Sequence, residues 1–143
     1  MRPTAPPKGT YTERQLSLVR RQIELWEQNR DDVGALDDWA TDGVLTAPRG
    51  VRVAVAAIPG VIDGWHALFR DLRVDLTSLF VTQDGRWMGV EWTWCVTRRS
   101  DGATSITPDA IIVEMRNDKI VEWREYFDSF GSVEFEPAND AAT

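Results

Sequence analysis

The stretch Lys119-Ile120-Val121-Glu122-Trp123-Arg124-Glu125-Tyr126-Phe127-Asp128 decides how this chain folds. It is rich in β-branched and aromatic residues, and neighbours along a strand face opposite sides of a sheet. Val121, Trp123, Glu125 and Phe127 therefore share one face, and Glu122, Arg124, Tyr126 and Asp128 share the other. The first set is apolar apart from Glu125. That makes it the expected buried face of a closing strand over 120–128, and it singles out Glu125.

The preceding segment, Ile106 to Met115, divides in the same way. Asp109, Ile111, Val113 and Met115 lie on one face, Ala110, Ile112, Glu114 and Arg116 on the other. Again one carboxylate interrupts an apolar set. Arg116-Asn117-Asp118 reads as a three-residue hairpin loop, because Asp tolerates a left-handed backbone. That loop sets Asp109 opposite Glu125 and makes the two apolar faces coincide. A two-residue turn would instead set Glu125 opposite Ala110.

Further upstream, Trp87 to Val96 is a second long strand, with Trp92, Trp94 and Val96 expected inward and Cys95 outward. Val74 to Phe80 alternates as well, and Asp84-Gly85 and Ser100-Asp101-Gly102 mark turns. The N-terminal half has helical spacing instead. Thr12 and Gln15 can form a capping box ahead of Leu16, Val19, Ile23 and Trp26, which predicts a helix over 12–29. Val33, Leu36 and Trp39 predict a short second helix over 32–40. Val44 to Ala47 and Val51 to Ala56, joined by Pro48-Arg49-Gly50, predict a short hairpin. Pro59 suits the first turn of a third helix carrying Val61, Trp65, Leu68 and Phe69. Three helical segments followed by an antiparallel meander is an α+β order. The Pro-rich residues 1–10 read as a disordered arm, 11–131 as one domain, and 132–143 as a flexible tail.

Composition narrows the function. Among 143 residues, 43% are hydrophobic, which supplies one core. The net charge is -7, with Asp+Glu 23 against Lys+Arg 16, and Arg20-Arg21 and Arg98-Arg99 are isolated pairs. A nucleic-acid partner would need a basic face. No stretch approaches the roughly 18 apolar residues that span a bilayer, and the start lacks the apolar run of a signal peptide. The single Cys95 excludes an intrachain disulfide and fits a cytoplasmic setting. One His and one Cys cannot make a usual N/S zinc site, although carboxylates could complete an oxygen-rich one, so no metal is expected.

The seven tryptophans are the unusual feature. They either line a pocket for a small hydrophobic molecule or fill the core outright. In the first case Trp92, Trp94 and Trp123 form a wall, with Trp65, Phe69, Ile111 and Phe127 around it. Two carboxyls on that wall would repel each other and resist ionisation, so that Asp109 and Glu125 could share a proton and act as acid and base. The alternative is a pair of solvated carboxylates at an open rim. His66, beside Trp65, is a reserve group for proton transfer.

The helices, the short hairpin and above all the stretch 119–128 resemble the SnoaL-like branch of the NTF2-like superfamily. The resemblance implies a cone: a curved antiparallel sheet of four long strands plus the hairpin, packed on three N-terminal helices, with a pocket inside. The branch includes polyketide cyclases, ketosteroid isomerases and limonene epoxide hydrolases. It implies cofactor-free acid–base chemistry, such as cyclisation, isomerisation or dehydration, with Glu125 as base and Asp109 as acid or oxyanion partner. A non-catalytic ligand-binding or dimerising domain and a rearranged epoxide hydrolase are the alternatives. Epoxide hydrolases of this type place an aspartate where Glu125 stands, but their Arg and Asp partners match Trp92 and Trp94. The isomerases' base, just before the hairpin proline, matches Ala47. Pairing through the outer sheet face, with Val90, Ile112 and Tyr126, is expected to give a homodimer.

Overall fold

The computed structural model describes residues 5–128. Along the chain it places β1 at Lys8–Thr10, α1 at Glu13–Gln28, β2 at Trp39–Ala47, β3 at Val51–Ala54 and α2 at Ile58–Leu68. Four long strands follow: β4 (Phe69–Val81), β5 (Trp87–Arg98), β6 (Thr104–Arg116) and β7 (Lys119–Tyr126). The expected tail, 132–143, lies outside the described residues.

The α+β class and the four-strand meander match the sequence reading. The details differ in three places. The sheet has seven strands in the order β1-β4-β5-β6-β7-β2-β3, and it is not wholly antiparallel: β2 runs parallel to β7 and β1 parallel to β4. Part of the expected disordered arm is therefore a strand. Gly9 permits this, because its φ of +127° and its backbone contact with Leu79 leave no room for a Cβ.

Among the described residues the α-helices number two. The segment 32–40 forms only a 3-10 turn, Ala35–Asp38, and Trp39 already belongs to β2. The Asp31 carboxylate binds the amides of Ala35 and Leu36, and Gly34 precedes them in a left-handed conformation. The buried Gln22 then ties this turn to α1. Its amide nitrogen donates to Ala35 O at 2.9 Å, and its oxygen accepts the Trp39 indole N–H at 2.9 Å. These side-chain bonds hold the apolar residues in a turn, where spacing alone suggested a helix.

The third difference is the register of β6 and β7. The hairpin closes with a two-residue turn, Asn117-Asp118, both at positive φ (50° and 62°), between the paired Arg116 and Lys119. Met115 then pairs with Ile120 but Glu114 with Glu122, so Val121 is an extra, bulged residue. The bulge restores the parity that the shorter turn would have reversed. Ile120 is fully buried, Val121 is not, and Trp123 and Glu125 return to the inner face.

The core fills the concave side. Val19 and Ile23 of α1 and Ile58 and Ile62 of α2 pack on Leu79, Val90, Ile111 and Val113 of the sheet. Val90 thus belongs to this interior and not to the outer face. A capping box, with the Thr12 hydroxyl accepting from Gln15 N and the Gln15 side chain accepting from Thr12 N, starts α1 as expected.

Candidate functional site

A cavity of about 160 Å³ opens at the wide end of the cone. Its wall comes from α1 (Trp26), the β2–β3 hairpin (Leu45, Ala47, Val51, Val53), α2 (Val61, Trp65), β5 (Trp94) and β6 (Thr107, Asp109). Glu125 of β7 and Phe127 just beyond it complete the lining. Val51 and Val61 stand exposed at its mouth. The β6–β7 pairing of the described residues ends at Ala110–Tyr126.

Asp109 and Glu125 meet in this cavity, though not as directly opposed residues. Glu125 pairs with Ile111, so Asp109 is its diagonal neighbour on the same face. Diagonal partners lie about 7–8 Å apart at the backbone, a distance long side chains bridge. The glutamate's extra methylene closes the gap, and the two carboxyls interact by hydrogen bonding.

Their surroundings resist charge. Asp109 is only 7% exposed. Burial first, and the Glu125 charge second, push its carboxyl up to about 9, while a hydrogen bond from Trp92 pulls the other way. Burial also pushes Glu125 up to about 7, against the lowering effect of hydrogen bonds with Asp109 and Trp123. Glu125 keeps some accessible surface and lines the cavity. The Trp92 indole N–H donates to Asp109 Oδ2 at 3.1 Å. Asp109 Oδ1 is buried and has no hydrogen-bond partner among the described residues. One proton held between the carboxyls supplies the missing donor, since a protonated carboxyl can donate and an ionised one cannot.

The other expected site residues divide. Trp65, Trp94 and Phe127 line the cavity. Trp92 and Trp123 do not; both are buried, their tilted rings have centroids 5.8 Å apart, and their N–H groups serve the carboxyl pair. Ile111 is core, and Phe69 packs on Trp65 at 4.8 Å outside the lining. His66 is also outside it: Nε2 lies 2.6 Å from the Trp26 carbonyl oxygen, which ties α2 to α1. Sequence reading missed Trp26, Leu45, Ala47, Val51, Val53, Val61 and Thr107. Trp26 was visible as the last member of the helical stripe, and Leu45 and Ala47 alternate on the hairpin. Nothing local said that these elements would face one another.

The tryptophans thus take both of the roles left open. Trp26, Trp65 and Trp94 line an open cavity, whereas Trp39, Trp92 and Trp123 fill the core. Trp87 stands apart, stacked by Arg86 and Arg124 with guanidinium carbons 5.5 and 5.7 Å from the ring centroid. Among the described residues, no three His, Cys, Asp or Glu side chains cluster as a metal site, and no helix is long and apolar enough to cross a membrane.

A curved mixed sheet closed by two helices over a pocket is the NTF2-like fold. The chain belongs to the SnoaL-like domain family, whose model matches residues 19–123. Solved structures agree on the fold. A candidate polyketide cyclase from Xanthomonas campestris is 20% identical, with a TM-score of 0.64 over 81% of this chain and 91% of that one. An NTF2-like protein of unknown function from Burkholderia pseudomallei is 19% identical, with a TM-score of 0.69 over 83% and 94%. A Catenulispora acidiphila protein of ketosteroid isomerase-like fold, solved with trimethylamine, is 16% identical, with a TM-score of 0.66 over 78% and 85%. No curated protein matches the chain significantly.

Proposed function

We propose that this protein is a small-molecule enzyme doing cofactor-free acid–base chemistry, namely cyclisation, isomerisation or dehydration, on a hydrophobic substrate of the polyketide-like kind. Glu125 takes a proton from the substrate, and Asp109 donates one to an oxygen that becomes negative. The observation that carries this reading is the carboxyl pair in an apolar cavity, with one proton to share near neutral pH. A base near pH 7 beside a still-protonated acid is the pairing that general acid–base catalysis needs. Trp26, Trp65, Trp94 and Phe127 pack the substrate. The candidate cyclase among the fold relatives points to the same chemistry.

Ala47 and Trp94 line the cavity at positions where relatives would carry an isomerase base and a hydrolase carboxylate. Glu125 is therefore the group left to act as base. The lining contains no arginine among the described residues, which weighs against epoxide hydrolysis by the Arg–Asp route. A small amine belongs among the first ligands to test, given the trimethylamine bound by the Catenulispora protein. A homodimer through the outer sheet face remains part of the proposal. Phe80 (54% exposed), Ile112 (41%) and Tyr126 (54%) offer apolar area there, and light scattering that finds only monomer at micromolar concentration counts against it.

The test uses a simple cyclic substrate. Conversion of 3-cyclohexenone to its conjugated isomer is followed by ultraviolet absorbance. Glu125→Gln is expected to slow it by about 10²–10⁴-fold while ligand quenching of tryptophan fluorescence persists. Equal turnover by the wild type and Glu125→Gln rejects the enzyme reading. Quenching retained in both then leaves the binding-domain alternative.

A further inference from the structure

We infer that the cavity takes a compact organic cation without N–H groups, of the quaternary ammonium class, held in an indole box of Trp26, Trp65 and Trp94 with Glu125 as counter-charge. The inference rests on the cavity being the ligand site, as proposed above, and narrows the hydrophobic substrate of that proposal to one carrying such a cationic head.

The box is visible in the ring geometry. Trp26 meets Trp94 at a centroid distance of 5.6 Å and an interplanar angle of 70°. Trp65 meets Trp94 at 5.3 Å and 80°. All three line the same cavity, and the two edge-to-face contacts join their rings into one continuous part of its wall. An indole face is electron-rich and attracts a cation more strongly than the other aromatic side chains do. A neutral apolar ligand would gain the contact area of these rings but not that attraction.

Charge points the same way. The lining holds two carboxyls and, among the described residues, no Lys, Arg or His. Around pH 8 the ionised Glu125 gives the cavity a net negative charge, with Asp109 still protonated. An anionic ligand would meet that charge without a cationic partner. A cation buried in an apolar site needs a nearby opposite charge, and Glu125 provides it.

The scarcity of polar groups then chooses among cations. A primary ammonium brings three N–H donors, each of which needs an acceptor. Thr107, Asp109 and Glu125 are the polar side chains of the wall, and the two carboxyls already bond to each other. A quaternary ammonium brings no donor and presents only methyl or methylene groups to the indoles. The volume of about 160 Å³ restricts it to a small head or molecule.

Isothermal titration calorimetry at pH 8 tests this with the full chain. The probes are choline and 3,3-dimethylbutan-1-ol, which have the same shape with nitrogen exchanged for carbon and the charge removed. Choline is expected to bind the wild type about tenfold more tightly. In Glu125→Gln and in Trp65→Leu, each checked for folding by circular dichroism, the preference, read as the ratio of the two affinities within each variant, is expected to fall to within about threefold. Equal or tighter binding of the alcohol by the wild type overturns the cation inference and leaves the cavity as a site for neutral ligands. A choline preference that survives in both variants also overturns it, because the cation then sits elsewhere. Binding of neither probe overturns the inference and also the reading of this cavity as a ligand site.

Discussion

Trp92 gives Asp109 an indole N–H at 3.1 Å, and that bond favours the ionised carboxyl. Trp92→Phe removes the donor and keeps an aromatic ring, so the Asp109 carboxyl is expected to rise further. In a pH–rate profile the proposed chemistry needs Glu125 ionised and Asp109 protonated. The profile of kcat/KM is expected to be a bell with limbs near 7 and 9. Trp92→Phe moves the alkaline limb upward; a limb that stays in place shows that the indole does not set it. Glu125→Gln removes a like charge and lowers Asp109, but burial is the larger cause of its shift. Asp109 should still titrate above the ordinary value of about 4 in carbon-13 NMR of that variant. A midpoint at about 4 would refute desolvation as the main cause. At this scale the sequence was informative about charge, because Glu125 and Asp109 each interrupt an apolar face. It was uninformative about His66: a ring beside Trp65 could point either into the cavity or, as here, to the Trp26 carbonyl.

The β6–β7 hairpin shows how far an element can be read. Alternation put Trp123, Glu125 and Phe127 on the inner side, and they are there. The route is different: two tight-turn residues and a bulge at Val121 replace a three-residue loop. The two arrangements give the same parity, so alternation could not distinguish them. The structural turn makes its own prediction. Asp118 holds a φ of 62°, a region where glycine is free of the Cβ penalty. Asp118→Gly is expected to raise stability by about 0.5 kcal/mol in urea unfolding, and a loss of more than that contradicts the two-residue turn. At the start of α1, Thr12→Ala removes both the cap and the box and is expected to cost about 1 kcal/mol in the same assay. Where spacing failed, over 32–40, the competing interactions were side-chain bonds from Asp31 and Gln22.

For the whole molecule, the raised carboxyls link stability to pH. Asp109 and Glu125 hold protons in the folded state that they release near pH 4 when unfolded. Between about pH 4 and 9 the native state therefore binds more protons than the unfolded state. The sign follows: stability contributed by this pair is full below about pH 4 and declines as pH rises toward 9, by up to about 1.4 kcal/mol per unit for each proton. Urea midpoints at pH 5.5 and 8.5 check it in the wild type against the double variant Asp109→Asn, Glu125→Gln, in which this part of the slope should vanish. An unchanged slope would mean that other groups carry it.

By itself the sequence determined the α+β class, the capped first helix, the final meander and two misplaced carboxylates on apolar faces. These follow from periodicity and composition, which act within one element. Only the tertiary structure decided that Glu125 reaches Asp109 across a diagonal, and that three tryptophans line an open space while three others fill the core. It also decided that part of the N-terminal arm joins the sheet through Gly9. Each of these depends on distances between segments far apart in the chain, where a one-residue bulge or a parallel strand pairing changes which side chains meet.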